Sequence, residues 1–237
     1  MLGVLVNTAA ILVGGGLGLL FKNRISKRFT DILMTAFAFA VCVMGVSSAI
    51  QTADSLGMIV CLALGALLGE ALRIEDRVEG LGNRLKRRFA QKEGEGSARF
   101  TEAFLSASLL FCIGSMSVMG PLDSGLRGDN AVLFSKSLID GVTSISYAAA
   151  LGYGVLFSAL PVLVYEGLIF LLASVLEPVL SAAVILEMSA VGGVLLMCVA
   201  ANMLELTQKR IPVGNMIPCM LLPILYQPLV QWLETIF

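Results

Sequence analysis

The chain contains no histidine among its 237 residues. That absence removes a His-based catalytic triad, a haem ligand and a histidine zinc site. Charge is scarce too: Asp, Glu, Lys and Arg make up 14% of the residues, and aromatics 7%. The five cysteines (Cys42, Cys61, Cys112, Cys198 and Cys219) stand singly in apolar stretches. They lack the clustering of a disulfide framework or a metal site, and read as small buried helix-packing residues. No basic region precedes the first apolar run, and positive charge follows it. The N-terminus therefore reads as a retained helix rather than a cleaved secretory signal. No metal, cofactor or nucleic-acid partner is expected.

What the chain has in abundance is hydrocarbon. It is 57% hydrophobic, with a mean hydropathy of +0.90, far above that of water-soluble domains of this length. A spanning helix needs about 20 mostly apolar residues. Eight stretches approach that measure: Leu2 to Phe21, Ile32 to Ile50, Leu56 to Leu72, Ala103 to Met119, Leu138 to Phe157, Leu160 to Leu176, Leu180 to Leu204 and Val213 to Val230. The expected fold is an all-α polytopic transmembrane helix bundle of about eight spans. Only Ser158 and Ala159 separate the fifth from the sixth, which leaves open seven spans or a re-entrant segment.

The distribution of charge matters more here than its sum. Four Lys or Arg follow the first stretch, eight follow the third and two follow the seventh, leaving only Arg127 and Lys136 elsewhere. With eight alternating spans, fourteen cations fall on one side and two on the other. The positive-inside rule then places both termini outside the cytoplasm, together with the polar stretch GPLDSGLRGDNAVLFSKSLIDG. One membrane domain over residues 1–237 is expected. Residues 74–99 read as a cytoplasmic amphipathic segment lying on the inner leaflet, or as a solvated loop. Residues 120–137 read as a non-cytoplasmic or re-entrant loop.

Small residues recur inside the spans. ILVGGGLGLLF, LALGALLGEAL and AALGYGVLFSAL each carry a central cluster that lets helix backbones approach. FTDILMTAFAFAVCV resembles FTEAFLSASLLFCI, and helix-pair repeats would explain both observations. The GxxxG pairs Gly14/Gly18 and Gly65/Gly69 fit packing either within one chain or in a homo-oligomer.

Ionisable groups at membrane depth cost at least about 2.5 kcal/mol near the centre, so they face a cavity or a partner. Glu166 is the deepest carboxylate. It reads as a cation or proton site, or as a protonated side chain bonded to another helix. Asp140 lies one turn after Lys136, so it either pairs with that lysine or serves a site. Asp123 and Asp129 bracket Arg127, so they either pair with it as structural ion pairs or draw cations toward an outer vestibule. Glu70 is expected to pair with Arg73, while Glu187 fits either role. Asn7, Asn202, Thr143 and Ser144 offer oxygens suited to Na⁺, K⁺ or a small polar solute, and serve equally as glue between helices. Four prolines in the last span (Pro212, Pro218, Pro223 and Pro228) predict a kinked helix.

The segments GVLVNTAAILVGGGLGLLFKNRI, FCIGSMSVMGPLDSGLRGDNAVLFSKSLIDGVTSISYAAALGYGVLFSALPVLVYEG and KRIPVGNMIPCMLLPIL resemble the DUF554 family of bacterial multi-pass inner-membrane proteins. The resemblance spans essentially the whole chain. It implies a bacterial integral-membrane protein, and it carries over no substrate and no functional residue.

The leading expectation is a membrane transporter of a small polar solute or ion, coupled to H⁺ or Na⁺ through intramembrane carboxylates. The alternatives are an oligomeric ion channel, or a non-transporting membrane partner or sensor. No enzyme is expected: without histidine, an intramembrane enzyme needs a carboxylate pair or Ser-Lys chemistry, and Ser135, Lys136 and Ser137 are adjacent rather than a turn apart. The expected partners are the lipid bilayer, a small solute or monovalent cation, and a second copy of the chain.

Overall fold

The computed structural model describes residues 1–22, 27–77, 97–114 and 116–234. Regular structure in these residues is entirely helical. In chain order the helices are α1 (Leu2–Lys22), α2 (Lys27–Ala49), α3 (Ser55–Leu72), α4 (Ser97–Cys112), α5 (Met116–Arg127), α6 (Ala131–Leu151) and α7 (Gly154–Phe157). There follow α8 (Ala159–Leu171), α9 (Ala173–Leu176), α10 (Ala182–Met203), a 3₁₀ turn (Val213–Met216), α11 (Ile217–Leu221) and α12 (Pro223–Glu234). The amphipathic segment expected over 74–99 lies mostly outside the described residues.

Among the described residues, five spans are long and apolar enough to cross a membrane, and six if the bent pair α4/α5 counts as one. The other two expected spans are helical but less apolar. Of α2, the stretch Thr35–Ala49 forms a shorter apolar helix. The 21 residues of α6 reach about 32 Å at 1.5 Å per residue, enough for a hydrocarbon core about 30 Å thick. Lys136, Asp140 and several hydroxyls keep its hydropathy down.

The packing is that of a membrane protein. Along α3 the buried positions are Gly57, Cys61, Gly65 and Gly69, a stripe of small residues at four-residue spacing. Leu56, Ile59, Leu64, Leu67 and Leu68 face outward. Water would reverse that arrangement, whereas lipid tolerates leucine and rewards close backbone approach. The interior is built from Ile11, Phe111, Leu133, Tyr147, Val191 and Leu195, all at most 2% exposed.

The small-residue clusters act within the chain. α1 packs chiefly on α6, α2 on α10, α3 on the 3₁₀ turn and α11, and α5 on α8. Gly14 and Gly18 lie directly against the backbone of Gly141 and Ile145, and Gly65 and Gly69 against Cys219 and Asn215. The α2/α10 crossing is reciprocal: a Cβ on Gly45 would lie 2.6 Å from the Gly193 oxygen, and one on Gly193 2.5 Å from the Gly45 oxygen. The third cluster behaves differently. Gly152 (φ 90°) ends α6, and Gly154 then meets the backbone of α4 at Phe100 and Phe104.

Two stretches differ from the sequence expectation. The fourth span is broken, with α4 and α5 meeting at 56°. Gly114 takes φ 119° at the break, and the Ser117 hydroxyl bridges it by donating to the Phe111 carbonyl at 2.9 Å, which satisfies one end group of α4. The stretch 120–137, expected to be a non-cytoplasmic or re-entrant loop, is largely helical: its first part belongs to α5 and its last part opens α6. Pro121 sits in the middle of α5, where its missing N–H costs one intrahelical bond without ending the helix. Only residues 128–130 leave helical geometry, turning at Gly128 with φ 72°.

A buried carboxylate, lysine and asparagine cluster as the candidate functional site

The tight crossing of α1 on α6 brings Asn7 beside Asp140. Asn7 is fully buried and Asp140 is 6% exposed, and the Asn7 Nδ2 donates to Asp140 Oδ2 at 3.1 Å. On α6, Lys136 lies one turn before Asp140, and its ammonium bonds the same oxygen, Oδ2. Glu166 enters from α8, also fully buried. Asn7 Nδ2 donates to Glu166 Oε1 at 2.9 Å, and Lys136 Nζ stands 3.4 Å from that oxygen. One amide nitrogen and one ammonium thus each hold both carboxylates. Three helices converge on a cluster of four polar side chains inside an apolar bundle.

Two oxygens in this cluster have no hydrogen-bond partner, Glu166 Oε2 and Asn7 Oδ1. Both are acceptors, and a buried acceptor without a donor costs roughly 1–3 kcal/mol. With both carboxylates ionised the cluster carries two negative charges and one positive. An uncompensated charge in hydrocarbon is expensive, so such an arrangement attracts a proton or a cation, or a donor group of a solute. Cys112 of α4 and Tyr165 of α8 lie within electrostatic range of Glu166, and the Tyr165 hydroxyl is itself buried without a partner.

The other sequence-nominated residues sit elsewhere. Asp123 pairs with Arg127 at 3.5 Å near the exposed end of α5. Asp129 Oδ1 accepts from the Ala131 amide at 2.9 Å, closing the turn into α6. Asn202 binds both the amide and the carbonyl of Ile211 at 2.9 Å, clamping the chain after α10. Ser144, one turn beyond Asp140, donates to the Gly141 carbonyl at 2.8 Å, directly under Gly14. Thr143 is half-buried on the same turn. Glu187 receives Thr52 Oγ1 at 2.5 Å and the amides of Ala53 and Asp54 at 2.7 and 3.2 Å, so it holds the α2–α3 connection. Glu70 accepts from Asn215 Nδ2 at 2.7 Å.

Asn130 was not singled out by the sequence. Its Oδ1 receives the Gly3 amide at 3.1 Å and the Ser124 hydroxyl at 2.8 Å, tying α1, α5 and α6 together on the N-terminal side of the cluster. An Asn just after an Asp and before an apolar helix is a capping signal. Here its side chain holds other segments instead of capping α6.

A family model described as "Protein of unknown function (DUF554)" matches residues 2–227. The chain belongs to the DUF554 family. It is 34% identical over 227 residues to the uncharacterized membrane protein YdfK of Bacillus subtilis (strain 168), covering 94% of each chain. It is 27% identical over 223 residues to the uncharacterized protein YqgA of Escherichia coli (strain K12), again covering 94% of each. No solved structure matches the chain. As a DUF554 chain with several apolar spanning helices, it is a membrane protein.

Proposed function

We propose that this DUF554 protein is a transporter of a small polar solute or ion in the bacterial inner membrane, coupled to H⁺ or Na⁺ through the Asn7–Lys136–Asp140–Glu166 cluster. The observation that carries this reading is the convergence of two carboxylates on one ammonium inside the bundle, with the buried Glu166 Oε2 left unpartnered. Evolution retains ionisable groups at such depth where they serve a pathway, because their burial is costly. Coupling works through population shift: loading the cluster changes its net charge, and with it the relative stability of two arrangements of α1, α6 and α8.

The orientation proposed is that of the positive-inside count, with both termini outside the cytoplasm. The start of α6, and the cluster near it, then lie toward the outer face. The glycine faces of α1 and α3 are occupied within the chain, so a homo-oligomer would form through other surfaces. The protein has no enzymatic role in this reading.

A thermal-shift survey of ions and metabolites on the purified protein identifies what binds, since a ligand of the folded state raises stability by mass action. Reconstitution into liposomes then tests movement. Saturable flux that responds to an imposed proton or Na⁺ gradient supports the reading, and current steps of a fixed single-channel size overturn it.

A further inference from the structure

The transport reading leaves open how many coupling ions the cluster holds and of what charge. Resting on that reading, we propose that the cluster binds one monovalent cation per chain, that a proton and Na⁺ compete for it, and that Glu166 Oε2 and Asn7 Oδ1 supply its free ligand oxygens. The argument starts from charge. Lys136 is 4% exposed and shared between Asp140 and Glu166, so one positive charge set against two ionised carboxylates leaves one negative charge to be met. A single monovalent cation restores neutrality in a low-dielectric interior, and a divalent ion would leave a buried positive charge.

The second step is the count of donors and acceptors. The Asn7 nitrogen serves Asp140 and Glu166 together, while its carbonyl oxygen is left without a donor. The lysine and the amide both approach Glu166 at Oε1. The two atoms left dry, Glu166 Oε2 and Asn7 Oδ1, are oxygens, the ligand type hard cations prefer. A proton on Glu166 occupies the same charge vacancy, so the two ligands exclude each other.

Among the described residues, charged and polar groups approach Glu166 from several of the surrounding elements. α6 presents Lys136 and Asp140, α1 presents Asn7, and α4 brings Cys112. Tyr165 neighbours it on α8 itself. α5, which also packs on α8, carries Asp123 and Arg127, paired with each other, and Ser124, which the Met1 amine reaches at 3.5 Å. Glu166 is therefore the group through which the competition runs.

The test uses the purified full-length protein in detergent, with ²²Na⁺ binding measured across a pH series and proton release followed by an indicator dye when NaCl is added. The expected result is one Na⁺ per chain, about one proton released per Na⁺ bound, and an apparent Kd that rises about tenfold per pH unit on the acidic side. Mg²⁺ should not displace the label. Glu166→Gln should lose both binding and release while melting cooperatively, and Asn7→Asp, which adds a second negative charge, should admit Mg²⁺. Two Na⁺ per chain, pH-independent binding, displacement of Na⁺ from the native cluster by Mg²⁺, or no binding by a cooperatively melting protein would overturn the proposal. Binding with proton release but no flux in liposomes supports the cluster and overturns the transport reading. Gradient-driven flux without Na⁺ binding does the reverse.

Discussion

Asn7 and Glu166, separated by 159 positions in the chain, meet with the amide nitrogen 2.9 Å from a carboxylate oxygen. That contact joins α1 to α8, and the same nitrogen reaches Asp140 on α6 at 3.1 Å. The amide is therefore the hinge pin of the cluster. Asn7→Ala should remove both bonds and leave two carboxylates held by Lys136 alone. A loss of about 2–4 kcal/mol is expected from two bonds to charged groups at 1.5–3 kcal/mol each, partly offset by relaxation. Chemical unfolding in detergent checks this; Asn7→Ala with native stability would show that the amide is a bystander.

Lys136 supplies the only cation bonded to the two carboxylates among the described residues. Lys136→Met should destabilise the protein by about 3–5 kcal/mol, because it strands buried charge. Removing the partner as well, in Lys136→Met/Asp140→Leu, should recover most of that stability and none of the transport. A double-mutant cycle on melting measures the recovery, and additive losses in the pair would contradict the ion-pair assignment.

The α1/α6 crossing depends on glycine at named positions. Gly14 lies against the Gly141 carbonyl and the Ser144 hydroxyl, whereas a Cβ on Gly16 would meet nothing within 4 Å. Gly14→Val should abolish a monodisperse folded peak in size-exclusion chromatography, and Gly16→Ala should leave it intact. Equal behaviour of the two variants would mean that the crossing is looser than described.

Glu187 is a carboxylate of a different kind. Its bonds all go to the Thr52–Asp54 connection. Glu187→Gln should cost about 1–3 kcal/mol through weakened bonds to the backbone amides, and should not alter the dependence of flux on pH. Flux assays at two or three pH values, beside a melting curve, separate the effects.

The membrane class, the helical content and the bounds of α1 and α3 follow from composition and apolar run length, which act locally. Glu166, Asp140, Lys136 and Asn7 could be nominated one by one, because a polar group in an apolar stretch stands out wherever it lies. The Lys136–Asp140 pair is legible from its i,i+4 spacing, but its meeting with Asn7 and Glu166 is not, since nothing in one sequence pairs position 7 with 140 and 166. Asn130 hid for a similar reason: the bonds its Oδ1 accepts come from other helices. The helical state of most of 120–137 is not legible because proline, glycine and charge are loop signals in water, and a proline held inside a helix, as Pro121 is in α5, is an exception they do not announce. The pairing of Asp123 with Arg127 follows from their four-residue spacing, whereas Asp129 and Asn202 are nominated as ligands by type and only local geometry shows them closing a turn and a clamp.

The most direct measurement of the central claim is gradient-driven flux in proteoliposomes carrying Glu166→Gln beside the native chain, across a pH series. Because the amide cannot exchange a proton, the account predicts that the variant inserts and melts as a folded protein yet shows no gradient-driven flux at any pH. Native flux with the native dependence on pH in Glu166→Gln would contradict it.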